Sequence, residues 1–183
     1  MQQSRVHFGL RFAALERAER AHGPSSVGKC GRDAELVVPL LADELRRISC
    51  RPDEDRRELF RRMVFNALIS NYDHPRNHAV IAPAREWELS PAFDLTPGPQ
   101  HALERRDLAL VCGEHGRSAT AVNVVSQAPR FALAHEEARA IIEGMSPVID
   151  GRWRGAVLKR GGSRRDIDAI ESAFNYPGFF YEA

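Results

Sequence analysis

Between Pro52 and Ser70 the chain reads PDEDRRELFRRMVFNALIS, with acidic residues leading and apolar ones at Leu59, Phe60, Met63, Val64, Ala67 and Leu68. Recurrence at three and four positions is the period of a helix with one buried face, and early carboxylates suit the positive end of its dipole. This is the strongest predicted core helix. PLLADELRRI, residues 39 to 48, predicts a shorter one, with Pro39 in a first turn and arginines in the last. LRFAALERAERAH, residues 10 to 22, places Leu10, Ala14, Leu15 and Ala18 near one face before Gly23-Pro24 stops it.

After residue 70 the pattern changes. In AVIAPAREWELSPAFDL, two short apolar runs, Ala79 to Ala82 and Trp87 to Leu89, flank a turn containing Pro83, which predicts a β-hairpin. The Pro/Gly segment TPGPQ follows, then DLALVCG as a strand or short apolar element. SATAVNVVSQA, LAHEEARAIIEGMSPVIDGRW and RDIDAIESAF predict further helices, with Leu133, Ile141, Ile142, Met145, Ile167, Ile170 and Phe174 on their buried faces. The expected fold class is mainly α, formally α+β, in one domain. At 183 residues and 43% hydrophobic content, the chain has material for one sizeable core and no second full domain.

Charge adds little. The formal net charge is +1, so no electrostatic argument favours nucleic acid, a membrane surface or an acidic partner. Basic residues are 24 Arg and two Lys, Lys29 and Lys159. Cys30, Cys50 and Cys112 are odd in number and widely spaced, which suits reduced thiols rather than a disulfide frame or zinc site. Without a signal-like start or a run of eighteen apolar residues, a cytoplasmic location is expected.

Three stretches carry candidate chemistry. GPSSVGKC, residues 23 to 30, approaches the phosphate-binding loop G-x-x-x-x-G-K-[ST], but Cys30 replaces the hydroxyl and the flanking elements are wrong, so a Gly/Ser turn is the better reading. His74 and His78 have the four-residue spacing of a helical zinc pair, but Pro75 lies between them and favours a loop. The third is an ordered set: an apolar helix, a polar loop with Asp73 and Asn77, a hairpin, then Asp94 in LSPAFDL. Phosphoryl transfer needs a carboxylate to accept the attacking hydroxyl's proton and oxygen ligands to hold Mg²⁺ on the phosphates, and kinases order these parts similarly. The competing reading makes Asp and Asn turn formers, with Asp94 capping a local turn.

The run RELFRRMVFNALISNYDHPRNHAVIAPAREWELSPAFDLTP resembles the C-terminal lobe of the HipA-like serine/threonine kinases, in which DHPRNH and LSPAFDLTP together are the specific part. The resemblance implies a kinase-like helical lobe with a β-hairpin carrying the metal-binding loop. It implies Asp73 as catalytic base, and Asn77 and Asp94 as the residues that hold Mg²⁺ and, through it, ATP. It also implies a toxin that phosphorylates a protein hydroxyl, restrained by a DNA-binding, HipB-like antitoxin.

Two departures bear on activity. The kinase loop D-x-x-x-x-N spaces base and asparagine by five, and Asp73 to Asn77 is four. In one register Tyr72 occupies the base position, where a phenol with a pKa near 10 accepts protons poorly. In the other, Asp73 is shifted by up to about 3.5 Å. Neither lysine sits in a strand like V-A-I-K, so the N-terminal lobe is expected to be absent from residues 1 to 183. Either a separate polypeptide supplies that lobe, or the chain is a noncatalytic remnant that binds an antitoxin or a second lobe.

Overall fold

The computed structural model describes residues 37–71, 78–83, 85–99, 102 and 104–180. The helix expected at residues 10 to 22 and the GPSSVGKC turn lie outside them. Helix α1 spans Val37–Ile48 and helix α2 spans Pro52–Leu68. Pro52 opens α2 at a position where its missing N–H is no loss, and Asp53, Glu54 and Asp55 line the first turn, as the pattern predicted. The two helices pack together, with Val38, Ala42 and Leu45 and, from α2, Leu59, Phe60, Met63, Val64, Ala67 and Leu68 all buried. Phe60 meets Phe131 edge-on at 5.5 Å between ring centroids, tying α2 to a short 3₁₀ turn at Ala128–Phe131.

The predicted hairpin is present but minimal. Strands β1, Val80–Ile81, and β2, Glu88–Leu89, are antiparallel, with Val80 opposite Leu89 and Ile81 opposite Glu88. Two residues per strand hold no sheet by themselves; the hairpin is anchored to the helices instead. Trp87 bridges to Ser49, Cys50 N donates to Trp87 O at 2.9 Å, and Leu89 N donates to the Asp55 carboxylate at 2.8 Å.

Farther along, helix α3 is shorter than its apolar run suggested, covering only Ala121–Val125. Its cap is Thr120, whose side chain accepts from Asn123 N. DLALVCG forms no regular strand; it folds against residues 116 to 119 through isolated bridges. The reason is Asn123, fully buried, whose Nδ2 donates to Gly116 O at 3.0 Å and Ser118 O at 2.8 Å, while its Oδ1 accepts from His115 N at 2.7 Å. The side chain shares these carbonyls with the few backbone bonds that remain, since Gly116 O also accepts from Cys112 N at 3.1 Å. Gly113 permits this, because a Cβ there would stand 1.9 Å from Asn123 O.

Helix α4, His135–Lys159, runs through the exposed Pro147 without breaking, and helix α5 spans Arg164–Ile170. Of the positions expected to be buried here, Leu133, Ile142 and Ile167 are; Ile141, Met145, Ile170 and Phe174 are half-buried. Short 3₁₀ turns at Glu171–Ala173 and Pro177–Phe179 complete the chain's C-terminal packing. Among the described residues the fold is mainly helical with one small antiparallel sheet, and no helix is long and apolar enough to cross a membrane.

Both described cysteines, Cys50 and Cys112, are free thiols, and burial pushes Cys112 up to about 12. Its thiolate fraction at pH 8 is then on the order of 10⁻⁴. Mass mapping after brief iodoacetamide treatment at pH 8 should find the exposed Cys50 modified and Cys112 modified only after denaturation. Because the folded pKa lies above the unfolded one, stability is intact below about pH 9 and declines as pH rises towards 12. Tyr176, likewise raised to about 12 by burial, acts in the same direction.

Candidate functional site

The site is built where α2 ends. Four consecutive carbonyls at that end require partners, as at any helix C-terminus. Asn71 N donates to Asn66 O at 2.8 Å and Ser70 N to Ala67 O at 3.2 Å; from distant segments, Asn175 N reaches Leu68 O at 2.8 Å and Gly98 N reaches Ile69 O at 3.2 Å. Every carbonyl from 66 to 69 is satisfied, two by the turn itself and two by the distant residues Asn175 and Gly98. The chain therefore leaves the helix in a fixed direction.

Ser70 makes that turn with φ of 53°, in the left-handed region, and is buried. The next residue, Asn71, is also buried. Its Nδ2 donates to Asn66 Oδ1 at 3.0 Å and reaches the carbonyl of Asp94 at 3.4 Å. Residue 94 is thus joined to the position immediately before residues 72 to 77 in sequence. After residue 77 the chain is held again at Ala79, whose O accepts from Ser90 N at 2.8 Å, continuing the hairpin.

Asp94 lies five residues beyond β2, in a segment without regular structure. The hairpin therefore leads to this residue rather than carrying it. Its side chain is exposed, and its φ of 52° is left-handed, a conformation that Asp tolerates better than most residues. Thr96 Oγ1 donates to Asp94 Oδ1 at 3.2 Å, so the local-turn role expected for this carboxylate is present. A turn role does not exhaust it, because a carboxylate offers about four lone-pair sites.

Asp73, Asn77, Tyr72 and His74 lie outside the described residues; His78, just beyond, is partly buried. Among the described residues no group of three His, Cys, Asp or Glu side chains gathers to hold a metal ion. The donor set that the sequence offers here is two carboxylates and one amide oxygen, and hard, oxygen-only ligation is what Mg²⁺ takes. Asp94, exposed and held through its backbone carbonyl by Asn71, carries an oxygen donor of that kind.

Sequence reasoning passed over three residues that build this corner and one that anchors the hairpin. Asn66 and Asn71 read as ordinary polar positions near a helix end, although an Asn in each of two places five apart is the signal that a side-chain pair closes the turn. Asp55 read only as a first-turn acid; it is buried and accepts from Ser49 Oγ at 2.6 Å as well as from Leu89 N. Arg106, buried among backbone carbonyls, gave no signal at all.

The family model for the HipA-like C-terminal domain matches residues 16–153. No curated protein and no solved structure matches the chain.

Proposed function

The chain belongs to the HipA-like C-terminal domain family, and from that premise we propose that it is a lobe of a HipA-type serine/threonine protein kinase, using Mg-ATP to phosphorylate a protein hydroxyl. Asp73 is the proposed base that accepts the hydroxyl proton. Asn77 and Asp94 are the proposed oxygen ligands on the nucleotide's metal. Magnesium, when bound, supplies positive charge against the charge that spreads over the transferring phosphoryl group. The residues' own task is placement: the Asn66–Asn71 pair fixes the helix exit, and Asn71 holds the Asp94 backbone beside it.

The observation that supports this reading best is the contact of Asn71 with the Asp94 carbonyl. It joins residue 94 to a position 23 residues earlier in the chain, two before Asp73 in sequence. A HipB-like antitoxin, a protein substrate and a separate N-lobe polypeptide are the proposed partners, and the cytoplasm is the proposed location.

The test is transfer of labelled γ-phosphate from Mg-ATP to candidate proteins by the purified chain, alone and with any polypeptide encoded next to it. Incorporation that disappears in Asp73→Asn is expected; absence of incorporation under both conditions contradicts the kinase reading. A second reading rests on the four-residue step from Asp73 to Asn77, one short of the kinase spacing. It makes the chain a noncatalytic binder of an antitoxin or second lobe, and then Asp73→Ala and Asp94→Ala leave the chain's biological effects unchanged.

A further inference from the structure

Building on the kinase-lobe reading, we propose that Arg106 is a positioning residue for Asp94, acting through Ser70 and Asn71. A helix exit in the left-handed region is ordinarily glycine, because a Cβ there costs about 1–2 kcal/mol. Position 70 is serine, and its hydroxyl makes bonds that glycine cannot. Ser70 Oγ donates to Ala173 O at 2.8 Å and accepts from Arg106 Nη1 at 2.5 Å. The same nitrogen donates to Ser172 O at 2.7 Å, Arg106 Nε donates to Ala102 O at 2.7 Å, and the guanidinium lies 4.5 Å from the Tyr176 ring centroid.

Arg106 is 3% exposed, so these bonds form away from competing water. They join the helix exit to residues 172 to 176, while Tyr176 is itself held by its hydroxyl donating to Ala119 O. The direction of the turn at Ser70 decides where Asn71 points. Asn71 in turn contacts the carbonyl of the residue whose carboxylate is presented to solvent. The chain of contacts runs from Tyr176 and Arg106 to Ser70, passes along the backbone to its neighbour Asn71, and ends at the Asp94 carbonyl. Lysine cannot replace this fork, because a single ammonium cannot span the Ser70, Ser172 and Ala102 acceptors in one plane.

Ser70→Gly is the informative variant: it keeps the left-handed turn, relieves its strain by removing Cβ, and removes the hydroxyl with both of its hydrogen bonds. Arg106→Lys is the second, and Arg164→Ala, which removes an exposed pair with Asp168 at 3.3 Å, is the control. Two readouts are taken on folded protein: hydrogen exchange of the Asn71 side-chain amide by NMR, and the dissociation constant for Mn²⁺ alone. Ser70→Gly and Arg106→Lys should accelerate Asn71 exchange at least about tenfold and weaken Mn²⁺ binding about tenfold, with the control unchanged. Unchanged Asn71 exchange in both variants overturns the proposal. Faster exchange with unchanged Mn²⁺ affinity reduces Arg106 to a purely structural residue and overturns it too. Should the unaltered chain bind no Mn²⁺, the metal reading of the kinase lobe fails instead; faster Asn71 exchange then still supports the link from Arg106 to the Asp94 backbone, and unchanged exchange overturns it.

Discussion

Replacing Asp94 by Asn should lower phosphoryl transfer by at least about 10²-fold, the scale of removing one charge-stabilising group from an active site, while leaving the melting temperature within about 2 °C of the parent. The two effects separate because of the backbone. Asp94 sits at φ of 52°, where Asn is as well tolerated as Asp, and an amide oxygen still accepts from Thr96 Oγ1. Only the charge is lost. Asp94→Ala loses the charge and the local hydrogen bond and adds a left-handed penalty of about 1–2 kcal/mol, so it should be both inactive and less stable. Measuring transfer and thermal unfolding on both variants distinguishes a metal ligand from a turn former. If Asp94→Asn transfers phosphate as the parent does, the carboxylate's role is the turn alone.

Asp55→Ala should have the largest effect on stability, about 3 kcal/mol, because hydrogen bonds to a buried carboxylate are worth about 1.5–3 kcal/mol and Leu89 N is left without its acceptor. For a chain of this size that is a fall in melting temperature of roughly 6–12 °C. Asp55 is 5% exposed and joins Ser49, the start of α2 and β2 through one carboxylate oxygen. The hairpin has only two residues in each strand, so losing this anchor also frees the segment leading to Asp94. Asp55→Asn keeps an acceptor for Leu89 N and should recover about half of the loss. Circular dichroism melts of the three proteins check the order parent, Asn, Ala; equal melting for all three would show that the hairpin is held otherwise.

What was legible in the sequence follows the range of the forces involved. The α2 period, its acidic start and Pro52 are local signals, and that helix forms with the expected face inward. The hairpin was legible as two apolar runs about a proline turn, though not its brevity, because the pairing is cut short by anchors to α2 that lie 34 positions away. SATAVNVVSQA read as one helix and yielded five helical residues, because the buried Asn123 side chain organises the preceding loop, which no periodicity records. That residue 94 follows the hairpin was legible. Ser70 was not, since its left-handed turn and its bond to Arg106, 36 positions on, exist only once the C-terminal segment has packed. Asp73 and Asn77 lie outside the described residues, and their roles rest on the family resemblance.

The central claim is that the end of α2 and the Asp94 turn together form one side of a metal and phosphate centre. Paramagnetic broadening by substoichiometric Mn²⁺, read residue by residue in an amide NMR spectrum, tests it most directly. Signals of Asn71, Asp94 and Thr96 should vanish first, with Asp94→Asn abolishing the effect. Broadening centred on another acidic region of the chain, with these three residues sharp, would contradict the account.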